Sequence, residues 1–147
     1  MSLSPVASYR LVKDRMRVAA FCSSLMDNCD FGAFTAIGLE KNGELVGGVV
    51  YDGYYGTSIS AHIAGVGQGW LTRSFLRAMF QYPFAQLGVN RMTGPVASTN
   101  EGAIRLVRHL GFEQEAYLKG AVPGGDLLFF VMWKCDCRFL GEKYGTV

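Results

Sequence analysis

Histidine and proline are scarce in this chain: two histidines and four prolines stand in 147 residues. Its four cysteines, Cys22, Cys29, Cys135 and Cys137, include no Cys-x-x-Cys pair and have no nearby histidine, so no metal is expected. Cys22 falls on an apolar helical stripe, where a thiol packs as a small hydrophobe. No apolar run approaches the ~20 residues a helix needs to span a bilayer. The start, Met1 to Pro5, lacks the basic and apolar regions of a signal peptide. The expectation is a cytoplasmic protein without a membrane partner. A net charge of +2, with basic residues scattered and no reading motif, argues against nucleic acid. Half the residues are apolar, which suits one core and one domain over residues 1–147.

The most informative absence is of carboxylates. Between Asp52 and Glu101 lie 48 residues without aspartate or glutamate, whereas Arg73, Arg77 and Arg91 all fall inside. Such a stretch is electropositive, and its place in the chain shows what it can do.

Apolar residues at Val18, Phe21, Cys22 and Leu25, with Met16 and Ala19 beside them, predict a helix within 12–26. Two β-rich runs, Phe34 to Leu39 and Leu45 to Tyr51, flank Asn42-Gly43, a dipeptide that supplies positive φ and predicts a hairpin. A strand from Thr57 to Ala64 leads into Gly65-Val66-Gly67-Gln68-Gly69. Leu71, Phe75, Leu76, Met79 and Phe80 then mark a helix over 71–82 that Pro83 helps to end. A strand follows at Arg91 to Ala97. Ser98 is read as the cap of a helix reaching Leu110, because Glu101 stands three residues on, with Gly111 as its stop. Phe112 to Lys119 and Leu127 to Trp133 close the chain as paired strands. The expected class is α/β (α+β), a mixed and mostly antiparallel sheet with helices on both faces. Leu106, Leu110, Phe75, Phe80 and Trp133 are expected in its core.

Strand, glycine loop, helix is the unit that uses the missing carboxylates. A helix N-terminus carries about half a positive charge and free N–H groups, so Arg73 in its first turn is misplaced unless an anion lies there. Glycines 65, 67 and 69 let the main chain approach that anion. A P-loop needs GxxxxGK[ST], and no lysine occurs here; a Rossmann fingerprint needs an acidic residue ~20 positions on. A helix-terminus diphosphate site remains, which suits coenzyme A.

Two segments carry a family resemblance. Ile63 to Arg73 stands where the GNAT acyltransferases have their pyrophosphate loop, and Asn100 to Phe112 is similar to their Asn-x-x-Ala/Ser helix closing on Leu-Gly-Phe. Phe84 to Arg91 resembles the branch that acetylates ribosomal-protein N-termini, and the text is also similar to phage and prophage members. The resemblance implies an acetyl-CoA-dependent N-acetyltransferase with one GNAT-like domain. Cofactor contacts follow at Ile63, Ala64 and Gly65 for the pantetheine. Gly67, Gln68, Gly69, Trp70, Leu71, Thr72 and Arg73 serve the diphosphate, and Asn100 and Arg105 come from the later helix.

The departures are specific. The loop pattern is out of register at Trp70. Val107 stands where many members place a tyrosine general acid, and Ala61-His62-Ile63 occupies the position of a glutamate base. Amine acetylation needs a neutral nitrogen, so a base must take the ammonium proton. His62 is the candidate, since histidine titrates near physiological pH. Asp52, Tyr54 and Tyr55, an aromatic and acidic cluster between two strands, are candidates for receiving a cationic amine. The rival expectation is an acyl-CoA-binding or interaction module without turnover, of the phage-associated kind, which Val107 supports. Whether the acceptor is a small molecule, a protein N-terminus or a lysine stays open, as does the oligomeric state, a homodimer included.

Overall fold

The computed structural model describes residues 7–26 and 32–141; Cys29 lies outside them. The order is β1 (Tyr9–Val12), α1 (Arg15–Leu25), β2 (Phe34–Lys41), β3 (Glu44–Asp52), β4 (Ser58–Gly65), α2 (Arg73–Gln81), a π turn (Tyr82–Gln86), β5 (Arg91–Ala97), α3 (Glu101–Leu110), β6 (Glu113–Val122) and β7 (Gly125–Trp133). Two short 3₁₀ turns, Lys134–Asp136 and Arg138–Leu140, follow. Asn42 and Gly43 take φ of 54° and 86°, so the β2–β3 hairpin turns where its dipeptide predicts. The strands form one seven-stranded sheet, β1-β2-β3-β4-β5-β7-β6, in which β4 and β5 are parallel and every other pair is antiparallel. β1 is the element that periodicity does not reveal: of its four residues only Val12 is buried.

Alternation along β4 divides the molecule. Ile59, Ala61 and Ile63 join the larger core with α2 and α3, while Ala64 joins a smaller one beneath α1. Helices therefore cover both faces. α1 approaches closely because Gly38 and Gly48 face it: a Cβ there would stand 2.7 Å from Val18 and 2.8 Å from Cys22. Its start is set by Asp14, whose carboxylate accepts from the Arg17 N–H. Met16 and Leu25, expected on the buried stripe, are exposed, and Val18, Ala19 and Cys22 carry the packing.

Four further expectations are corrected. Pro83 does not terminate the helical path; the chain widens into the π turn, closed by the Leu87 N–H on the Tyr82 carbonyl. Asn100, not Ser98, caps α3, because Ser98 Oγ accepts instead from the N–H of Asp126, the second residue of β7. Trp133 is 42% exposed: Phe130 and Met132 take the core-facing positions of β7, so Trp133 falls on the opposite face beneath the Arg91 guanidinium. Leu106 is only partly buried, whereas Leu110, Phe75 and Phe80 lie in the core as expected. Gly111, at φ 107°, ends α3 in the left-handed conformation.

Candidate active site

β4 and β5 pair at three positions, Ser58–Arg91, Ile59–Met92 and Ser60–Thr93, and no further. β4 then continues beside β3 to Gly65, and β5 beside β7 to Ala97, so the two strands part. Pro95, which has no N–H, lies in the part of β5 that has no β4 partner. A cleft of about 330 Å³ opens there, lined by Ile63, Ala64, Gly65 and Trp70 on one side and by Asn100, Gly102, Ala103 and Leu106 on the other, with Leu25 and Met26 at its rim. Gly102, which has no side chain, and Ala103, which has a single methyl, keep the α3 wall open.

The glycine loop leads from this cleft to the N-terminus of α2. Gly67 and Gly69 have φ of 68° and 82°, which L side chains rarely adopt. Gln68 is exposed between them. Thr72 caps α2, its hydroxyl accepting from the Phe75 N–H at 3.2 Å, and Leu71 packs partly buried against the core. Arg73 is the first helical residue and is exposed. Trp70 is 8% exposed, and its indole lies across the backbones of Gly47 and Gly65, so it is a packed wall of the cleft. Asn100 is held as a cap, accepting from the Ala103 N–H at 3.0 Å. Arg105 is exposed on α3 and does not line the cleft.

The three arginines of the acid-free stretch are separated by the fold. Arg91 Nη1 reaches Glu115 at 3.2 Å, and Arg77 donates to Gln81 in a different groove. Only Arg73 is left at the glycine loop, so the local potential rests on it and on the α2 N-terminus.

His62 projects to the α1 side of the sheet, across from Val50. Its Nε2 lies 2.9 Å from Asp52 Oδ1, with side-chain exposures of 18% and 26%. With Asp52 ionised, its carboxylate can only accept, so in that state Nε2 of His62 is the donor. Sequence reading assigned Asp52 to the amine and missed this pairing; ten residues apart, the two meet only through the β3–β4 register. Tyr54 and Tyr55 sit on the loop beyond Asp52, exposed to solvent. Tyr51 is buried, donates to the Met79 carbonyl, and is pushed well above the usual tyrosine range by desolvation. Val107 is buried in the core, so α3 presents no phenol at that position. Among the described residues no three His, Cys, Asp or Glu side chains gather as a metal site, and no helix is long and apolar enough to cross a membrane.

No family model and no curated protein sequence matches the chain. Solved structures do. A mutant of the spermidine N-acetyltransferase SpeG from Vibrio cholerae superposes with a TM-score of 0.69 at 17% identity, covering 93% of this chain and 98% of that one. The chain has the fold of the GNAT acetyltransferases. The same Vibrio cholerae enzyme in complex with CoA and spermine gives 0.68 at 17% identity over 92% and 98% of the two chains. A GNAT-family acetyltransferase from Bacillus anthracis gives 0.56 at 17% identity over 67% and 65%. The GNAT fold read from the two signature segments, with its mixed sheet and helices on both faces, is therefore the fold observed.

Proposed function

We propose that the protein is an acetyl-CoA-dependent N-acetyltransferase acting on a primary amine. The observation that carries this is the parting of β4 and β5 beside the Asp52–His62 pair. The edge of β4 from Ala61 to Gly65 has no ladder partner on the β5 side, so its backbone groups suit the amides of a pantetheine arm. The N-terminus of α2, with Arg73 and the glycine loop, suits a diphosphate. Acetyl-CoA would supply an activated acyl group at the parting of the strands.

The chain's own residues then do three things. The cleft walls position the thioester and exclude water. Asp52 fixes the His62 tautomer, and His62 Nδ1 takes the ammonium proton, directly or through water. Attack by the neutral amine on the acyl carbon would break the C–S bond, one of the two protons lost by the nitrogen going to the CoA thiol and the other leaving to solvent through His62. Val107 offers no acid, so the reaction relies on positioning and on this one base.

α1 covers β2, β3 and β4 on the side His62 faces, so the acceptor approaches over β5 and β7, where Thr93 and Phe129 stand. The Vibrio cholerae enzyme crystallised with spermine supports a cationic amine, and the exposed rings of Tyr54 and Tyr55, beyond the Asp52–His62 pair, suit one. A protein N-terminus is the acceptor suggested by the resemblance at Phe84 to Arg91; Phe84 and Val89 there are core residues, so that likeness is accounted for by packing. The test is thiol release from acetyl-CoA with spermidine, spermine and peptide amines, products being identified by mass spectrometry. Amine-dependent release supports the proposal. Tight CoA binding with no release for any amine gives the non-catalytic module that Val107 favours.

A further inference from the structure

On the α1 side of the sheet, the row of side chains through His62 carries on beyond the parted strands. Ser60 of β4 faces Thr93 of β5 in the last paired rung, and two residues on, along the same face, stand His62 on one strand and Pro95 on the other. From Pro95 the row continues through Phe129 of β7 to Ala116 of β6, and the row after it reads Ala97, Leu127 and Leu118. All of these side chains are apolar. They point away from the larger core, because Val96, Leu128 and Phe130, their alternating neighbours, pack into it. Each keeps access to solvent: Pro95, Ala97, Leu127 and Phe129 are partly exposed, and Ala116 and Leu118 are exposed. α1 lies over β2, β3 and β4 instead. Nearer the start of β5 the same face turns polar, where Arg91 donates to Thr93 Oγ1 at 3.2 Å and pairs with Glu115.

An apolar surface that begins at the parting and lies in line with a base fits one kind of acceptor. The nitrogen belongs beside the thioester and His62, and the carbon body belongs on the two apolar rows. We propose that the acceptor is a monoamine with an apolar body of short-alkyl or arylalkyl size, lying over Pro95 and Phe129. Three neighbouring strands span about 10 Å, so the surface takes such a body lengthwise. A second ammonium at its far end would be set against apolar side chains and lose hydration there. The inference rests on the acetyltransferase reading and adds the acceptor's class to it.

The test follows thiol release from acetyl-CoA by the whole chain, with n-propylamine to n-hexylamine, 2-phenylethylamine, 1,6-diaminohexane, spermidine and peptide amines as acceptors. Along the n-alkylamines kcat/KM is expected to rise about two- to fourfold per methylene. n-Hexylamine is expected to exceed 1,6-diaminohexane, of equal length, by at least about tenfold. Phe129→Ala, its melting compared with the parent, is expected to flatten the series by raising KM for n-hexylamine more than for n-propylamine. The proposal is overturned if the rate is indifferent to chain length, or if the diamine, spermidine or the peptides are the better acceptors; either result leaves the acetyltransferase reading standing. Release with no amine at all overturns that reading and this inference together, so the two failures are told apart. The alkylamine series and the diamine comparison need no variant, so they decide even if the substitution harms folding.

Discussion

Gly65→Ala probes the cleft wall through one methyl group. A Cβ at Gly65 would stand 2.1, 2.4 and 2.6 Å from three atoms of the Trp70 indole. Carbon atoms in good contact sit ~3.5–4.0 Å apart, so roughly 1.5 Å of clearance must be found. The indole cannot supply it by bending. It is a rigid bicycle, backed by Phe75 with ring centroids 6.1 Å apart and resting also on Gly47, where a Cβ would meet it at 2.7 Å. The remaining route is a tilt of Trp70 into the 330 Å³ cleft. Overpacking of this kind costs about 1–3 kcal/mol, which lowers the melting temperature by roughly 3–10 °C in a chain of this size. Affinity for CoA falls with it, because the displaced ring enters the space proposed for the pantetheine. Thermal unfolding followed by calorimetric CoA titration measures both. Gly67→Ala is the contrast. Nothing lies within 4 Å of its new Cβ, yet φ is 68°, so it loses about 1–2 kcal/mol through the backbone and leaves the wall intact. A Gly65→Ala protein that melts and binds CoA like the parent would refute the seating of Trp70.

Further outcomes follow from the same structure. Arg73→Ala is expected to weaken CoA binding and to flatten its salt dependence, since Arg73 is the one arginine of the acid-free stretch left beside the glycine loop; unchanged calorimetric affinity would remove it from the diphosphate site. The hydrogen bond from Arg17, with that from Arg10, holds the Glu40 carboxyl below its ordinary value of 4.5 against the opposing effect of burial. A depressed pKa stabilises the fold above the ordinary value, and that stability is lost as pH falls through the folded one. Glu40→Gln should therefore lower the neutral-pH melting temperature and reduce its decline below pH 4.5, as melting curves across that range would show. Burial pushes the Cys137 thiol up to about 11, whereas Cys135 is exposed. Iodoacetamide at pH 8 should label Cys135 well before Cys137 in peptide maps.

Much of the fold was legible because each element carried its own local signal. Asn42-Gly43 fixed one hairpin, Gly111 one helix end, and the alternation of Arg91 to Ala97 one strand with its observed bounds. β1 escaped because a four-residue edge strand with one buried side chain has no periodicity to read. The site divided along the same line. His62 and the stretch from Ile63 to Arg73 were visible as a strand running into a glycine loop. The pairing of Asp52 with His62, of Arg91 with Glu115 and of Arg77 with the second groove depends on register and helix rotation, which one sequence does not display. The cap of α3 passed from Ser98 to Asn100 for the same reason, since the competing partner of Ser98, the Asp126 N–H, is 28 residues away.

In the proposed reaction the parted strands deliver a thioester to the Asp52–His62 pair. The decisive measurement is the pH dependence of single-turnover acetyl transfer to the best acceptor of the amine panel, in the parent, His62→Gln and Asp52→Asn. Loss of a positioned base costs about 10²- to 10⁴-fold in rate. The expectation is a loss of that order in His62→Gln with acetyl-CoA affinity unchanged, a smaller loss in Asp52→Asn, and an inflection in the parent profile that His62→Gln abolishes. Near-parental turnover with the same pH profile in His62→Gln would contradict the claim and make His62 a structural residue of β4.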